Sequence, residues 1–366
     1  MEQWKEYRLG DLLSHFKSGK SIKSDKIDES GDYPVYGGNG LRGFTDTKNF
    51  VGDCAIIGRQ GAFCGNVRYF AGSAYMTEHA IIAVANKENN TRFLSYILGM
   101  MQLGRFSGQS AQPGLSVTEL SKILIKVPSL PVQNKISSIL SSLDDKIELN
   151  RQINDNLEQQ AQALYLSYFS DTPLCCLGDM VKTASGGTPS RNNLDYYSHS
   201  GIDWVKSKEL NRSIIFQTEE RITNNAINYS SAKVLPKYST LIAMYGATVG
   251  EYGLIAEPMT CNQAICALIP NENYPYTYLF MFAKNVRQEL INNAVGSAQQ
   301  NISQVMIKNM QISRDLDSIK KYDDSVRGIF DSYIHLSKEI SYLTELRDTL
   351  LPRLMSGELK INEINC

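Results

Sequence analysis

The strongest pattern in the chain is a narrow apolar seam between about Val132 and Ser170. Its members follow a 4-3-4-3 spacing: Ile136, Leu140, Leu143, Ile147, Asn150, Asn154, Leu157, Ala161 and Leu164. This spacing places one stripe along a helix and is typical of a coiled-coil partner. At 1.5 Å per residue, about 40 residues predict a rod of roughly 55–60 Å.

A second seam follows near the C-terminus, from about Ile319 to Met355. Its members are Leu336, Ile340, Leu343, Leu350 and Leu354, with Phe330 and Ile334 before them. A lone helix of this length would leave its apolar stripe in water, so each helix needs a partner. The pattern predicts that the two helices pair with each other.

The similarity between the two halves extends beyond the helices. Three segments recur in the same order: 9–11 as 177–179, 57–62 as 242–247, and 110–116 as 297–303. Self-similarity on this scale indicates a duplicated unit. The spacing between matched segments is longer in the second copy, which predicts insertions early in that copy.

The order of elements predicts an α+β chain with a pseudo-twofold internal repeat. We expect a globular unit at 1–130, a long helix at 131–170, a second globular unit at 171–315, and a second long helix with a C-terminal tail at 316–366. Alternating apolar runs such as Cys54–Ile57 and Ala80–Val84 predict strands of a mixed or antiparallel sheet with short helices. The two units therefore share a framework of matched segments and differ in the residues between those segments.

Composition and charge narrow the class only a little. Seven cysteines without a CxxC spacing disfavour a disulfide framework or a zinc site, and no apolar run reaches the ~18 residues of a membrane span, so we expect a cytoplasmic protein. The net charge of −1 is unusual for a nucleic-acid binder. Residues 1–130 hold 15 Lys+Arg against 12 Asp+Glu, and residues 171–315 hold 12 against 12. A partner subunit would then supply part of any phosphate neutralisation.

In the first unit, several polar side chains lie where chain turns are expected. Lysines recur every third residue in a Ser/Gly-rich loop, which suits phosphate contact and equally suits a solvated loop. A glycine-rich turn precedes an arginine, and an Arg-Gln pair stands between two apolar strands. Arg and Gln are the side chains that read guanine and adenine bidentately. The DNA-contact candidates of this unit are Lys20, Lys23, Arg42, Arg59, Gln60, Gln109 and Gln112.

The second unit offers a different set. A loop of small hydroxyl residues ends in an arginine, and two lysines at alternate positions fall on one face if the segment is a strand. Tyr245 stands where Gln60 stands in the first unit. The candidates are Thr188, Ser190, Arg191, Lys206, Lys208, Arg212, Tyr245, Gln299, Gln300 and Asn301. Two different sets of polar side chains on one framework suit the recognition of two different target sequences.

Sequence signatures of catalysis are missing. The chain has no Asn/Asp-Pro-Pro-aromatic tetrapeptide of amino methylation, no glycine-rich dinucleotide fingerprint, no P-loop and neither HExxH nor GxSxG. We therefore expect a non-catalytic binding protein without a metal or cofactor of its own. Two alternatives stay open: a self-contained site-specific nuclease, and a coiled-coil scaffold for protein partners.

Two variable units alternating with two long helices resemble the specificity (S) subunit of type I restriction–modification enzymes. The residues that carry the resemblance are Trp4-Lys5 with Leu9-Gly10-Asp11, the loop 185–190 (Ser-Gly-Gly-Thr-Pro-Ser), Trp204-Val205-Lys206, the segment 297–303, and the closing run 350–359. Together they span essentially the whole chain. The first unit lacks the Gly-Gly-Thr-Pro loop and has Ser18-Gly19-Lys20-Ser21 in its place.

The resemblance implies a defined role. Each unit would be a target-recognition domain for one half of a split site in double-stranded DNA, and the antiparallel helices would set the spacing and dock two methyltransferase subunits. S-adenosylmethionine would be bound by those partners, and ATP and Mg²⁺ by restriction subunits. A rod of about 55 Å is long enough to hold two readers one DNA turn (about 34 Å) apart.

Overall fold

The computed structural model describes residues 4–108, 114–294 and 301–359. The chain divides into two compact units. The first contains the residues up to 146 together with those from 344 onward, and the second runs from 147 to 343. Each unit therefore combines a globular part with one segment of each long helix.

The globular part of the first unit is rich in strands. Its elements are β1 Lys5–Arg8, β2 Leu13–Ser18, β3 Tyr33–Gly37, β4 Gly40–Thr45, β5 Phe50–Gly58, β6 Val67–Met76, β7 Ala80–Ala85, α1 Thr91–Met100, α2 Val117–Ser121 and β8 Leu124–Val127. Six strands form one sheet in the order β2-β7-β5-β6-β3-β4, and β1 pairs with β8. The runs 54–57 and 80–83 are buried on both faces, because alternate residues of each run belong to two different hydrophobic clusters.

The globular part of the second unit repeats this plan with additions. Its elements are β9 Leu174–Cys176, α4 Leu177–Met180, β10 Thr183–Ser185, β11 Tyr197–Val205, β12 Ile214–Ile215, β13 Arg221–Ile222, α5 Asn224–Asn228, β14 Thr240–Ala243, β15 Tyr252–Ile255, β16 Thr260–Cys261, β17 Ile265–Leu268, α6 Tyr276–Asn292, α7 Gln304–Asn309 and β18 Gln311–Ser313. The main sheet has the order β10-β17-β14-β15-β12, and β9 pairs with β18.

The two strand orders show the duplication directly. Strands β2, β7, β5, β6 and β3 of the first unit correspond to β10, β17, β14, β15 and β12 of the second. In both sheets the last of these pairs is parallel, β3 with β6 and β12 with β15, while the others are antiparallel. The second unit adds a three-stranded sheet, β13-β11-β16, whose strands β11 and β13 lie in the early insertion that the sequence predicts. The internal repeat is confirmed.

The two long helices are α3 Leu130–Phe169 and α8 Leu316–Met355, each of 40 residues. In the first unit, Ile136 and Leu140 of α3 lie in the same buried core as Leu354 of α8. In the second unit, Asn154 Nδ2 donates to Ser337 Oγ at 3.0 Å, and Tyr322 Oη donates to the Ala161 carbonyl at 3.3 Å. The helix segments therefore run antiparallel in the second unit, as predicted, and the α+β fold class is confirmed.

Aromatic residues join the end of α3 to the second globular core. The ring of Phe169 lies 4.9 Å from that of Tyr278 and 5.5 Å from that of Tyr322, measured between centroids. Tyr165 packs 5.6 Å from Tyr278 in the same group. Burial of these rings fixes the helix end against the globular part by hydrophobic contact and edge-to-face packing.

The sequence Ser116-Val117-Thr118-Glu119 predicts a capping box at the start of a short helix, and this prediction is wrong. Ser116 is the N-cap of α2, but its side chain accepts no hydrogen bond from the helix. Glu119 instead pairs with Lys122 one turn later, at 2.7 Å between Oε1 and Nζ. In the second unit, the matched Ser303 does cap its helix and accepts from the Met306 N–H at 3.1 Å.

Candidate nucleic-acid interface

Each unit presents the same tip where a central strand of its sheet ends. After β5 a 3-10 turn spans Gly61–Phe63, and after β14 a 3-10 turn spans Gly246–Thr248. The first glycine of each turn has a left-handed φ, +77° and +71°, which an L side chain rarely adopts. The backbone therefore makes the same sharp turn in both copies.

A short β-bridge holds each tip in place. Gln60 bridges to Gly114 and Tyr245 bridges to Asn301. Gln60 and Asn301 are exposed, and Tyr245 is 40% exposed. The framework thus presents a glutamine in one unit and a tyrosine with an asparagine in the other, at matched positions.

In the first unit, the tip borders an open cleft of about 510 Å³. Arg59, Gln60, Gly114 and the segment 115–118 line this cleft. Arg59 is partly buried, and its guanidinium donates to the Glu78 carbonyl at 3.5 Å. Gln60 beside it makes no side-chain hydrogen bond among the described residues, so its amide is available to a ligand.

The side chains of Arg42 and Arg68 lie against the turn between β3 and β4, and the backbone N of Arg59 lies beside Gly38 of the same turn. We call these three residues the arginine turn. A Cβ at Gly37 would lie 2.9 Å from Cδ of Arg42, and a Cβ at Gly40 would lie 3.1 Å from Cζ of Arg68. Gly40 has a φ of +100°, which favours glycine, and the absence of a side chain at both positions leaves room for the two arginines. The glycine-rich turn is therefore a hairpin that packs against arginines.

Within the described ranges of the chain, none of the three arginines forms an ion pair with a carboxylate. Burial raises the pKa of Tyr36 on β3, and the charge of Arg68 offsets part of that rise. Lys20 and Lys23 are exposed in the loop that follows β2. The first unit therefore carries cations that have no carboxylate partner among the described residues and could meet phosphate or base edges.

In the second unit, the Gly-Gly-Thr-Pro loop is packed against the added sheet. The indole N–H of Trp204 donates to the Gly187 carbonyl at 3.0 Å, and the Tyr197 hydroxyl donates to the Pro189 carbonyl at 2.8 Å. Thr188 is exposed and its hydroxyl donates to the Gln263 side chain; Ser190 is exposed as well. Close packing explains why the loop has glycine at positions 186 and 187. The side chains of Thr188 and Ser190 remain on the surface.

Lys206 and Lys208 would share one face if they lay on a strand, but β11 ends at Val205 and a 3-10 helix spans Ser207–Glu209. Both lysines instead reach the loop before β13. Lys206 Nζ lies 2.9 Å from Glu219 Oε2 and 2.8 Å from Glu220 Oε1, and Lys208 Nζ lies 2.7 Å from Glu219 Oε2. The ends of both lysines therefore meet on one pair of glutamates.

Arg191 joins the same group through its guanidinium. Its Nη1 lies 2.5 Å from Glu220 Oε2, while the guanidinium stacks over the rings of Tyr197 and Trp204 at 4.5 and 5.2 Å. We call Arg191, Lys206, Lys208, Glu219 and Glu220 the ion-pair cluster. Hydrogen bonds from Arg191 and then Lys206 lower the pKa of Glu220 to about 2. Those from Lys208 and then Lys206 lower the pKa of Glu219.

Arg212 lies in a different network. Its guanidinium binds Glu251 in a bidentate manner, with distances of 2.7 and 2.9 Å, and Arg287 binds the same carboxylate at 2.6 Å. Arg212 has a left-handed φ of +65°. Its hydrogen bonds tie the loop after β11 to the main sheet and to α6.

Four candidates lie outside the described residues: Gln109, Gln112, Gln299 and Gln300. Sequence reasoning also missed three residues that the structure brings to these surfaces: Arg68, Glu219 and Glu220. The adjacent glutamates follow a polar loop, and their proximity to Lys206 depends on the pairing of β11 with β13. Arg68 is a single charge at the start of β6, so no local pattern marks it.

Two further properties concern possible ligands and membranes. In the described part of the chain, no cluster of three or more His, Cys, Asp or Glu side chains is arranged to bind a metal ion. Within the same residues, every helix is too short or too polar to cross a bilayer.

Comparison with known proteins gives consistent matches. The model of the type I restriction modification DNA specificity domain matches residues 1–159 and again 171–314. The HindI specificity subunit of Haemophilus influenzae is 26% identical over 68% of this chain and 71% of its own length. The EcoprrI specificity subunit of Escherichia coli is 38% identical, over 38% of this chain and only 36% of its own length.

A solved structure supports the same fold. The crystal structure of the type I restriction–modification S subunit from M. genitalium superimposes with a TM-score of 0.70 and covers 96% of both chains. At 16% sequence identity, this likeness shows the fold alone.

Proposed function

The chain belongs to the type I restriction modification DNA specificity family, and from that premise we propose that each globular unit reads one half of a bipartite site in double-stranded DNA. Its function is sequence-specific DNA recognition for a type I restriction–modification complex. The finer assignments of residues, partners and spacing below are part of the proposal.

The observation that carries the proposal is the pair of matched tips. Both follow the equivalent strand, both turn at a left-handed glycine, and both are held by a bridge to the segment that precedes α2 or α7. Their exposed side chains nevertheless differ, with Gln60 in the first unit and Tyr245 with Asn301 in the second. A fixed frame with variable polar tips suits two readers of different half-sites.

The surroundings of each candidate suggest a division of roles. Arg59 and Gln60 border an open cleft and have the side chains that read guanine and adenine, so we assign them to base edges. Arg42, Arg68, Lys20 and Lys23 we assign to phosphates. In the second unit, Tyr245, Asn301, Thr188 and Ser190 remain candidates for direct contact. Arg212 we reassign to the support of its loop, because Glu251 already satisfies its guanidinium.

The long helices are proposed to set the gap between half-sites and to dock two methyltransferase subunits. Apolar side chains on them remain exposed in the second unit: Leu149 is 51% exposed, Ile153 39% and Tyr342 64%. Such residues on helices suit a protein partner. Catalysis would then reside in the partners, with S-adenosylmethionine in the methyltransferases and ATP with Mg²⁺ in restriction subunits, in the cytoplasm.

The test is a methylation map. We would express the chain with its neighbouring methyltransferase subunit and locate methylated adenines across the genome, then exchange residues 1–130 for those of another family member. We expect a split motif of which only one half changes. A map that stays unchanged, while the partner is active beside another specificity subunit, would favour the scaffold alternative.

A further inference from the structure

We propose that Glu219 and Glu220 compete with DNA phosphate for Arg191, Lys206 and Lys208, and that they hold the affinity for DNA without the target site low until a DNA backbone displaces them. The inference rests on the proposed function and extends it, because it concerns two acidic residues that oppose DNA binding. The ligand that competes with them is DNA phosphate.

The geometry suits competition between carboxylate and phosphate. The nitrogen–oxygen distances in the ion-pair cluster are between 2.5 and 2.9 Å, which are those of charge-assisted hydrogen bonds. Phosphate oxygens would make bonds of the same kind to the same donors. The outer members are reachable, since the side chains of Lys208, Glu219 and Arg191 are 61%, 60% and 54% exposed.

The cations are already held in place before any ligand arrives. Arg191 lies over the rings of Tyr197 and Trp204, and the Lys206 side chain is only 14% exposed. Long cationic side chains lose rotamer entropy when they are ordered, and here that cost falls on folding. The cluster therefore resembles a preformed anion site that its own glutamates occupy.

The glutamates are also positioned by other groups. The backbone N–H of Glu219 donates to Glu209 Oε1 at 2.9 Å, and the Thr218 N–H donates to Asp203 Oδ1 at 2.9 Å. These bonds fix the loop that presents both carboxylates. Because the loop is held independently of the three cations, the carboxylates stay close to them while a phosphate competes.

The consequence is a penalty on unspecific binding. A duplex without the target site must exchange existing ion pairs for new ones, so it gains little from these three cations. A duplex with the correct half-site adds base contacts that make the exchange favourable. The glutamates thus keep the affinity for random DNA low, while the base contacts of the target offset the cost of displacing them.

The test compares full-length chains on a labelled duplex that lacks the target site, over a series of salt concentrations. The variant Glu219→Gln/Glu220→Gln keeps the size of both side chains and removes both charges. We expect its affinity to rise by about five- to thirtyfold, from the release of exposed ion pairs of modest strength. The salt dependence should steepen by roughly 0.9 for each cation that gains a phosphate.

A matched control separates this effect from total charge. Glu272→Gln/Glu289→Gln removes the same number of charges from exposed positions of the same unit outside the cluster. An equal rise in DNA affinity in both variants, or no rise in the Glu219→Gln/Glu220→Gln variant, would overturn the inference. Glu219→Asp keeps the charge and should behave as the unaltered chain does.

Two further measurements distinguish a failure of the inference from a misfolded variant and from a failure of the proposed function. Glu219→Gln alone changes an exposed side chain whose carboxylate bonds, among the described residues, to lysines only. It therefore tests the inference if the double variant fails to fold. Binding of the unaltered chain to its target duplex is measured in parallel. Loss of that binding would refute the proposed function, whereas target binding without an effect of the glutamates would refute the inference alone.

Discussion

The arginine turn of the first unit and the ion-pair cluster of the second contain three cations each, yet they differ in what those cations bind. Arg42, Arg59 and Arg68 have no carboxylate partner among the residues that the structure describes. Arg191, Lys206 and Lys208 share Glu219 and Glu220 at 2.5–2.9 Å. The number of basic residues near a surface therefore says little about its attraction for phosphate until their partners are known.

The framework makes the comparison meaningful. The equivalent strands have the same order in both sheets, and the matched tips have the same backbone. The difference arises in the segments between framework strands, where the second unit adds the sheet β13-β11-β16 and with it the loop of Glu219 and Glu220. We therefore expect the arginine turn to contribute more to the electrostatic affinity for DNA than the ion-pair cluster does.

The largest effect is expected from Arg59→Ala in the first unit. Loss of a bidentate contact to a base costs about 1–3 kcal/mol and relaxes one position of the recognised site. In a methylation map, the half-site read by this unit would become degenerate at one base pair, while the other half stays intact.

Lys122→Ala provides the control for that experiment, because Lys122 is exposed and pairs with Glu119 on α2. It should leave the map unchanged. Complete methylation at the original sites only, in the Arg59→Ala strain, would remove this arginine from the base-reading set and leave the arginine turn as a phosphate site.

Exchange of the tip residue in the second unit should have a somewhat smaller effect. Tyr245→Gln places in the second unit the side chain that the first unit has at the matched position. We expect the preference at one base pair of the second half-site to shift, with a loss of about tenfold on the original site, within the range for one base contact. Tyr229→Gln, at an exposed tyrosine away from the tip (77% exposed), should not alter it.

The sequence predicted the framework well because its signals are local or repeated. The seam of Ile136, Leu140 and Ile147 has a period that only a paired helix explains, and these residues are indeed buried. The matched segments 57–62 and 242–247 identified equivalent tips before any contact was known. A helical period and an internal repeat are both visible in a single sequence, so they can be recognised without a structure.

The cations were harder to predict because their environment is tertiary. Lys206 looked like a strand residue, yet β11 ends one residue earlier and the side chain turns to glutamates 13 and 14 residues away. Glycine-rich character marked the turn at Gly37–Gly40, but the contact of Arg68 with Gly40 forms only when strands distant in sequence pack together. Ion pairs between residues of different loops produce no periodic pattern in the sequence.

A direct comparison of the two surfaces uses one cation from each. Arg42→Gln should lower the salt dependence of binding to random DNA by about one, as expected for one lost phosphate contact. Lys206→Gln should leave that dependence unchanged, because Lys206 already pairs with two carboxylates. Fluorescence anisotropy over a range of salt concentrations measures both. Equal slopes for the two variants would mean that the cluster is as available to DNA as the arginine turn.

The smallest expected effect is on the stability of the fold at low pH. Measuring it tests whether the ion-pair cluster forms in solution. The pKa of Glu220 falls from an ordinary 4.5 to about 2 in the folded chain. A depressed carboxyl pKa means that the ion pairs stabilise the fold fully above pH 4.5, and that this stabilisation is lost as pH falls from 4.5 through about 2. Because the side chain is about a third exposed, we expect at most about 1 kcal/mol.

The measurement is the difference in unfolding free energy between the unaltered chain and Glu220→Gln as a function of pH. Protonation of other carboxylates affects both proteins alike and cancels in the difference. We expect a constant advantage of the unaltered chain above pH 5 that shrinks steadily below pH 4.5. A difference that does not change over this range would mean that Arg191 and Lys206 are not held by Glu220 in solution. The second unit would then offer its cations to DNA as freely as the first.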